Sequence, residues 1–175
     1  MPYWELAIAI VFALSVFSFA SLAPWVPTSS LDLERIREIV RLGAGERCLE
    51  MGCGTAQVSL YLARHHPEAS VTGVELSPLW YLIAKIRARL SGLPNVDIRY
   101  GNALSWDLRE FDAIYVFGLP ATVTDDVFPR IDGLQNPRFR LISYCFPMTN
   151  GYFQETRHKI AGQYAIYEYR PKHST

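Results

Sequence analysis

Charged side chains are scarce in this chain of 175 residues, and neither sign predominates. Only 19% of the residues are Asp, Glu, Lys or Arg, and 17 acidic residues stand against 17 basic ones. A formal net charge of zero provides no basic surface for binding the phosphates of a nucleic acid. We therefore expect no nucleic-acid partner.

Cysteine is also rare, and its spacing excludes two kinds of site. Cys48, Cys53 and Cys145 form no C-x-x-C pair and lie beside no histidine cluster. The pattern therefore indicates neither a disulfide framework nor a zinc site, and we predict no bound metal. Cys48 and Cys145 lie in apolar stretches, where a free cysteine is a small core residue. Cys53 lies within a glycine turn, where we expect it to pack close to a ligand.

Charge is absent altogether from residues 6–23, and the uncharged run continues through Pro27. This length is about that of a helix that crosses a bilayer, and Trp4 and Trp25 flank it as aromatic rings do at membrane interfaces. The alternatives are a cleaved signal peptide and a buried core helix. A signal peptide is disfavoured because no Lys or Arg precedes the run and Pro24 follows the one small-residue cleavage site. We predict an anchor and linker over residues 1–27, with one transmembrane helix, and a single α/β domain over residues 28–175.

Basic residues are unequally distributed about this run. Arg35, Arg37 and Arg41 follow it, and no basic side chain precedes it. Because basic flanks remain on the cytoplasmic side, the domain is expected to face the cytosol as part of a single-pass membrane protein. The first 30 residues lack the Arg-rich composition of a mitochondrial presequence, so the expected location is a prokaryotic inner membrane.

Two short apolar segments each end in a carboxylate, about 25 residues apart. The first leads into Glu50 and the turn Gly52-Cys53-Gly54, and the second leads into Glu75. Glycines let backbone amides approach a ligand closely, and a carboxylate after the second strand can accept both ribose hydroxyls. Gln57 stands where G-x-G-x-x-G has its third glycine, and Glu50 would repel a pyrophosphate but favour a cation. The pattern predicts a cationic nucleoside cofactor.

Together with Gly101-Asn102 after a third predicted strand, this stretch resembles the class I methyltransferases that use S-adenosylmethionine. The resemblance covers roughly residues 35–146. It implies a Rossmann-like sheet, mostly parallel with a C-terminal antiparallel hairpin, and S-adenosyl-L-methionine as cofactor. In that family the Glu75 position binds the ribose, and the Asn102 position, usually Asp, contacts the adenine. The implied cofactor-binding residues are Glu50, Gly52, Gly54, Glu75, Leu76, Asn102, Ala103 and Phe117.

Capping signals and apolar patterns predict the remaining elements. Ser29 with Asp32 resembles a capping box that opens a helix, and Gly43 is the predicted stop. Ser77-Pro78 opens another helix, which ends at Gly92 and carries either a solvated basic face or a contact with lipid headgroups. A helix is also predicted over residues 56–66, with strands over 96–100, 111–117 and 140–146 and a closing hairpin of 152–160 with 163–170.

A closer resemblance combines the apolar amino terminus with two further segments, Glu75-Leu76-Ser77-Pro78 and Val116-Phe117-Gly118-Leu119-Pro120. They are similar to the membrane-associated lysine methyltransferases that include the ATP synthase c-subunit lysine N-methyltransferase and its prokaryotic relatives. Tyr144-Cys145-Phe146-Pro147 resembles a third region of those proteins but lacks its arginine. The resemblance implies methylation of lysine side chains on a protein in or near the membrane.

The loop after the fourth predicted strand borders the expected methyl acceptor. It lacks the Asn/Asp-Pro-Pro-aromatic sequence of enzymes that methylate amide or exocyclic amino nitrogens, and no histidine lies near it, so no catalytic residue is identified. Four aromatic residues are candidates for a channel that holds an alkylammonium: Trp80, Tyr115, Phe117 and Tyr152. Two alternatives remain, a methyltransferase for a lipid or quinone-like small molecule and a non-catalytic scaffold that binds S-adenosylmethionine.

Overall fold

Seven strands make one sheet in the computed structural model, which describes residues 4–5, 28–118, 120–134, 136–148 and 153–172. Across the sheet their order is β3-β2-β1-β4-β5-β7-β6. The first five strands in this order are parallel, and β7 is antiparallel to both of its neighbours. The strand bounds are β1 (Arg47–Met51), β2 (Ser70–Glu75), β3 (Val96–Tyr100), β4 (Ala113–Val116), β5 (Arg140–Tyr144), β6 (Phe153–His158) and β7 (Ile166–Pro171).

Three helices cover one face of the sheet: α1 (Ser30–Val40), α2 (Gln57–His65) and α3 (Pro78–Ser91). The opposite face packs against two 3-10 turns and a short helical segment. The turns are Ala103–Ser105 and Leu108–Glu110, and the segment consists of α4 (Pro120–Thr122), a π-helical turn (Val123–Val127) and α5 (Phe128–Ile131). Because successive side chains of a strand point to opposite faces, each strand supplies apolar residues to both layers.

A buried polar network attaches α1 to the second half of the sheet. Asp32 accepts hydrogen bonds from the Tyr144 hydroxyl (2.9 Å) and from Arg35 Nη1 (2.7 Å). Arg35 also donates to the backbone oxygens of His158 (3.2 Å) and Tyr164 (3.0 Å), on either side of the hairpin turn. Since each charged group is satisfied, the network fixes α1 over β5 without leaving an unpaired buried charge.

The expected α/β architecture, a mostly parallel sheet with a C-terminal antiparallel hairpin, is confirmed. Strand β3 has the predicted bounds, whereas β4 spans only Ala113–Val116 of the predicted 111–117. The predicted helix stop at Gly43 is wrong by two residues, because Arg41 takes the left-handed conformation (φ 44°) and closes α1. Arg140 explains the early end, since its guanidinium donates to the backbone oxygens of Val40 and Arg41.

The predicted membrane span over residues 6–23 lies outside the described residues. Within the described ranges, no helix combines the length and the apolar character needed to cross a bilayer.

Candidate cofactor site

The glycine turn after β1 lies at the carboxyl edge of the parallel strands, where ligands bind in open α/β sheets. Gly52 (φ 71°) and Gly54 (φ 54°) both have left-handed backbones, which glycine adopts without a Cβ penalty. The amides of Gly52 and Cys53 donate to the Val74 backbone oxygen at 2.9 and 3.0 Å. These bonds hold the turn against the end of β2, and Gly52 remains exposed at the edge.

Glu75, the last residue of β2, is buried and holds the turn from the other side. Its Oε2 accepts the backbone N–H of Gly54, and its Oε1 accepts that of Ser77, each at 2.8 Å. A carboxylate oxygen has two lone pairs, so each oxygen retains one acceptor position. The carboxylate is therefore preorganised for a pair of hydroxyls, which fits the ribose of the expected cofactor.

Glu50 has a different environment from the one expected. Its Oε2 accepts both the backbone N–H of Ser59 (2.7 Å) and the Ser59 hydroxyl, so that it caps the first turn of α2 from the neighbouring strand. Burial raises the pKa of Glu50 to about 8, and the charge of Glu75 adds to the rise, although both bonds from Ser59 oppose it. A cationic ligand beside these two carboxylates would favour the ionised form of Glu50.

Two residues beside the turn were not predicted as part of the site. Ser59 supplies both donors to Glu50, nine residues away across the turn. Gly73 lies under α2, where an added Cβ would stand 2.8 Å from the Ser59 hydroxyl oxygen and 2.9 Å from Ile98 Cδ1. A glycine inside a strand pattern signals such a close approach, whereas no local pattern signals Ser59.

The start of α2 is bound by groups on both sides. The Gln57 side chain donates to the backbone oxygen of Thr28 (2.7 Å) and accepts from its N–H (3.2 Å), which attaches the segment before α1 to the edge of the site. From α3, Arg87 Nη1 donates to the Thr55 backbone oxygen at 2.8 Å. Between them, Ala56 has a left-handed backbone (φ 59°), a conformation that costs a residue with a Cβ about 1 to 2 kcal/mol.

The predicted adenine side of the site follows β2 and β3. Leu76 is half-buried, Ala103 is buried and Asn102 is exposed. The Asn102 side-chain oxygen caps the following 3-10 turn by accepting the Leu104 N–H at 3.0 Å. The amide group of Asn102 can therefore donate to a ring nitrogen while its oxygen holds the turn.

The predicted acceptor side has an aromatic wall, which we define as Phe117, Tyr144 and Phe146. The Phe117 ring stacks on Phe146 (centroids 6.2 Å apart, 9° between planes) and meets Tyr144 edge-on at 5.6 Å. These residues follow or end β4 and β5, beside the glycine turn after β1. Burial and the hydrogen bond to Asp32 hold the pKa of Tyr144 well above its usual range, so its hydroxyl remains protonated.

The four-residue aromatic channel predicted from the sequence is only partly present. Tyr115 lies in the core on the α1 side of the sheet, because it is an interior residue of β4. Trp80 belongs to the first turn of α3, and Tyr152 lies outside the described residues. Of the four, Phe117 alone is placed in the aromatic wall.

The cysteines have no pairing partner, and burial raises the pKa of Cys48 to about 12 and that of Cys53 well above its usual range. Both thiols are therefore protonated, which suits small core residues rather than nucleophiles. Over the part of the chain that the structure describes, no three His, Cys, Asp or Glu side chains are grouped to hold a metal ion.

Solved structures share this architecture. An RNA methyltransferase from Salinibacter ruber, solved in complex with S-adenosyl-L-homocysteine, is 21% identical, with a TM-score of 0.74. The match covers 86% of this chain and 97% of that one. At this identity the similarity establishes the fold.

Two relatives differ in how much of each chain is matched. The ribosomal RNA small subunit methyltransferase A of Geobacter sulfurreducens is 40% identical over 78 residues, which are 45% of this chain and 27% of the relative. A protein-lysine N-methyltransferase of Saccharolobus islandicus is 23% identical over 130 residues, 74% of this chain and 80% of the relative. This chain thus spans about a third of the ribosomal RNA methyltransferases that it matches and most of the lysine methyltransferase.

The family model for the ANTKMT methyltransferase domain matches residues 50–154, which is more than half of the chain. The matched range begins at Glu50, runs through the glycine turn, Glu75 and the aromatic wall, and ends in β6. With this match and the fold just described, the chain belongs to the ANTKMT methyltransferase domain family, within the class I methyltransferases that use S-adenosylmethionine.

Proposed function

We propose that this protein is a membrane-anchored methyltransferase that transfers the methyl group of S-adenosylmethionine to lysine side chains of a protein in or near the bilayer. The observation that carries the proposal is the aromatic wall beside the cofactor edge. Ring faces attract an alkylammonium through their quadrupoles, and the match to a protein-lysine N-methyltransferase points to the same acceptor.

The residues of the site position reactants rather than exchange protons with them. When bound, S-adenosylmethionine supplies a methyl group that its sulfonium charge makes electrophilic, and Gly52, Gly54 and Glu75 are the groups that would hold it. The remaining requirement is a nitrogen lone pair held in line, and alignment of this kind contributes much of the rate in such reactions.

A lysine must lose its proton before it attacks, and an apolar surrounding favours the neutral amine. The aromatic wall provides that surrounding at the ends of β4 and β5. Tyr144 is not a base for this step, because its hydroxyl is protonated and already donates to Asp32. We infer that desolvation against the rings, followed by release of the proton to solvent, prepares the amine.

The predicted anchor would place this chemistry next to a membrane. Thr28 is fixed to Gln57 at the cofactor edge of the sheet, five residues after the end of the predicted membrane span 6–23. Five extended residues reach about 18 Å at most. An anchor over residues 1–27, with the domain over 28–175 on the cytosolic side of a prokaryotic inner membrane, would therefore hold the cleft within reach of lysines close to the lipid surface. Tethering of this kind raises the effective concentration of a membrane target.

The decisive experiment incubates membranes that contain the full-length protein with methyl-labelled S-adenosylmethionine and then separates protein from organic extract. Label on protein lysines supports the proposal. Label in the organic phase would identify a lipid or quinone-like acceptor instead. Cofactor binding without any transferred label would favour the non-catalytic scaffold.

The aromatic wall is tested with a matched pair of variants, Phe117→Leu and Phe117→Tyr. Loss of one ring face from a cation site costs about 0.5 to 2 kcal/mol, or roughly a 2- to 30-fold rise in KM for the protein acceptor. We expect this rise for the Leu variant and near wild-type behaviour for the Tyr variant, which retains a ring. A weaker affinity for S-adenosylmethionine in the Leu variant, with KM for the acceptor unchanged, would assign Phe117 to the cofactor instead.

A further inference from the structure

The outer face of α3 carries an apolar stripe, which we define as Leu79, Leu82, Ile86 and Leu90. Their side chains are 38, 56, 50 and 83% exposed. Spacings of three and four residues place all four on one side of the helix. Ala84 is the one fully buried residue of the 14 in α3. Contiguous exposed apolar surface of this kind marks an interaction site.

The inner face of α3 is already occupied, so the helix cannot rotate to bury the stripe. Tyr81, Ala84 and Ala88 pack against the cluster that contains Ile98. Lys85 Nζ donates to the Ile98 backbone oxygen (2.8 Å) and pairs with Asp97 (3.3 Å). These contacts fix the stripe outward, away from the sheet.

The charge around the stripe has one predominant sign. Arg87 and Arg89 are exposed on the two sides of the stripe, and the helix contains no acidic residue. On the adjacent strand β3 the single carboxylate, Asp97, is shared by Lys85 and Arg99. A helix with an apolar stripe and basic flanks is the type that lies in the interface of an anionic membrane. Each basic residue at such a surface strengthens association about fivefold.

We propose that the apolar stripe of α3 and its basic flanks form a second contact with the membrane, which lies on an anionic bilayer surface. The proposal rests on the proposed function only in placing the domain beside a membrane, and it does not depend on the identity of the methyl acceptor. A second copy of this chain is the weaker occupant, because a two-fold contact through the same face would bring its like charges together.

This contact would set the orientation of the cofactor cleft. Helix α3 packs along β2 and β3 at the edge of the sheet. With α3 in the membrane interface, the strands run along the bilayer surface and the carboxyl edge, with the glycine turn, opens sideways. The acceptor would then approach laterally, through the headgroup layer.

The test places an environment-sensitive fluorophore on the full-length protein in nanodiscs of phosphatidylcholine, with or without phosphatidylglycerol. The labelled variants are Ile86→Cys on the stripe and Gln154→Cys on the exposed strand β6, and the labelled wild type corrects for Cys145. We expect a blue shift and quenching by spin-labelled lipid at position 86 in anionic discs and neither at position 154. Adding Arg89→Glu should reduce the lipid quenching about fivefold or more.

Three results would overturn the proposal. The first is an absence of lipid quenching at position 86 in anionic discs. The second is a label at position 86 that is shielded from a water-soluble quencher but is not quenched by spin-labelled lipid, together with a dimer in light scattering, which would identify a second copy as the occupant. The third is the same shielding in a monomer, which would identify another segment of this chain. None of these results depends on methyl transfer, so the proposed function stands or fails by its own assay.

Discussion

Replacing Glu75 with Gln tests whether the carboxylate at the end of β2 both fixes the glycine turn and holds the ribose. The two oxygens of Glu75 accept backbone N–H groups of Gly54 and Ser77, each at 2.8 Å and in a buried setting. A Gln side chain has only one oxygen, so one of these N–H groups would face the amide NH2 instead. The substitution changes little in volume and therefore isolates the hydrogen bonding.

The expected loss of stability follows from these two bonds. A hydrogen bond to a charged group contributes about 1.5 to 3 kcal/mol, and its neutral counterpart about 1 kcal/mol. Losing one bond of Glu75 and weakening the other should therefore lower the free energy of unfolding by about 2 to 5 kcal/mol. For a chain of this size the melting temperature should fall by roughly 4 to 20 °C. Loss of one acceptor for the ribose should also weaken S-adenosylmethionine binding by about 5- to 150-fold.

The matched control is Glu110→Gln, which makes the same chemical change at an exposed pair with Arg47 (3.0 Å). Exposed ion pairs contribute less than about 1 kcal/mol, so this variant should melt and bind cofactor much as the wild type does. Differential scanning fluorimetry gives the melting temperatures, and isothermal titration calorimetry gives the affinities. If Glu75→Gln matched Glu110→Gln in both assays, Glu75 would be neither the support of the turn nor the ribose acceptor.

Three further outcomes follow from the packing and the pKa of buried groups. Gly73→Ala should lower the free energy of unfolding by about 1 to 3 kcal/mol, because the added Cβ would lie only 2.8 to 3.0 Å from neighbouring side-chain atoms. Gly43→Ala should be nearly neutral in the same denaturation series, because the nearest atom to its Cβ is 3.6 Å away. The pKa of Glu50 is raised to about 8 in the folded state, so between about pH 4.5 and 8 the folded protein holds a proton that the unfolded chain has lost. The free energy of unfolding should therefore fall as the pH rises through this range, by at most about 1.4 kcal/mol per pH unit. Urea titrations should show no such additional slope for Glu50→Gln. Tyr144→Phe should lower the free energy of unfolding in urea by about 1 to 2 kcal/mol, because it removes a hydrogen-bond donor from buried Asp32. An unchanged unfolding midpoint would show that this hydrogen bond does not stabilise the fold.

The sequence was sufficient to place the strand-end carboxylates because each follows a short apolar run, which is typical of a buried strand. Glu50 and Glu75 lie at the carboxyl ends of β1 and β2, as predicted. The immediate partner of Glu50 was not predictable, because Ser59 reaches it only once α2 has packed across the sheet. The polar link between Tyr144 and Asp32 joins residues 112 positions apart and has no local pattern either.

The predicted ends of helices and strands were wrong where tertiary contacts override the local conformational preference of the chain. Gly43 is a better helix stop than Arg41 by intrinsic conformation, yet hydrogen bonds from Arg140 hold the last backbone oxygens and end α1 earlier. Tyr115 and Phe117 lie two residues apart and face the same side of the sheet, where both pack on the core beneath α1. Because β4 ends at Val116, Phe117 lies just beyond the strand, where it is half-buried and contacts Tyr144 and Phe146. These differences concern where the chain turns, and they decide which aromatic side chains form the aromatic wall.

The position of β7 in the sheet also determines when the sheet can be completed during synthesis of the chain. Strand β7 follows β6 in the chain but lies between β5 and β6 in the sheet, so these seven strands cannot complete the sheet until residue 171 has left the ribosome. Ribosomes add 5 to 20 residues per second, so synthesis from the end of β5 at Tyr144 to the end of β7 at Pro171 leaves the edge of β5 open for about 1 to 5 s. During that interval Leu141 and Ile142, which are fully buried in the finished sheet, are open to pairing with other nascent chains. Slow synthesis of residues 145–171 therefore lengthens the period in which the edge of β5 is open to such pairing.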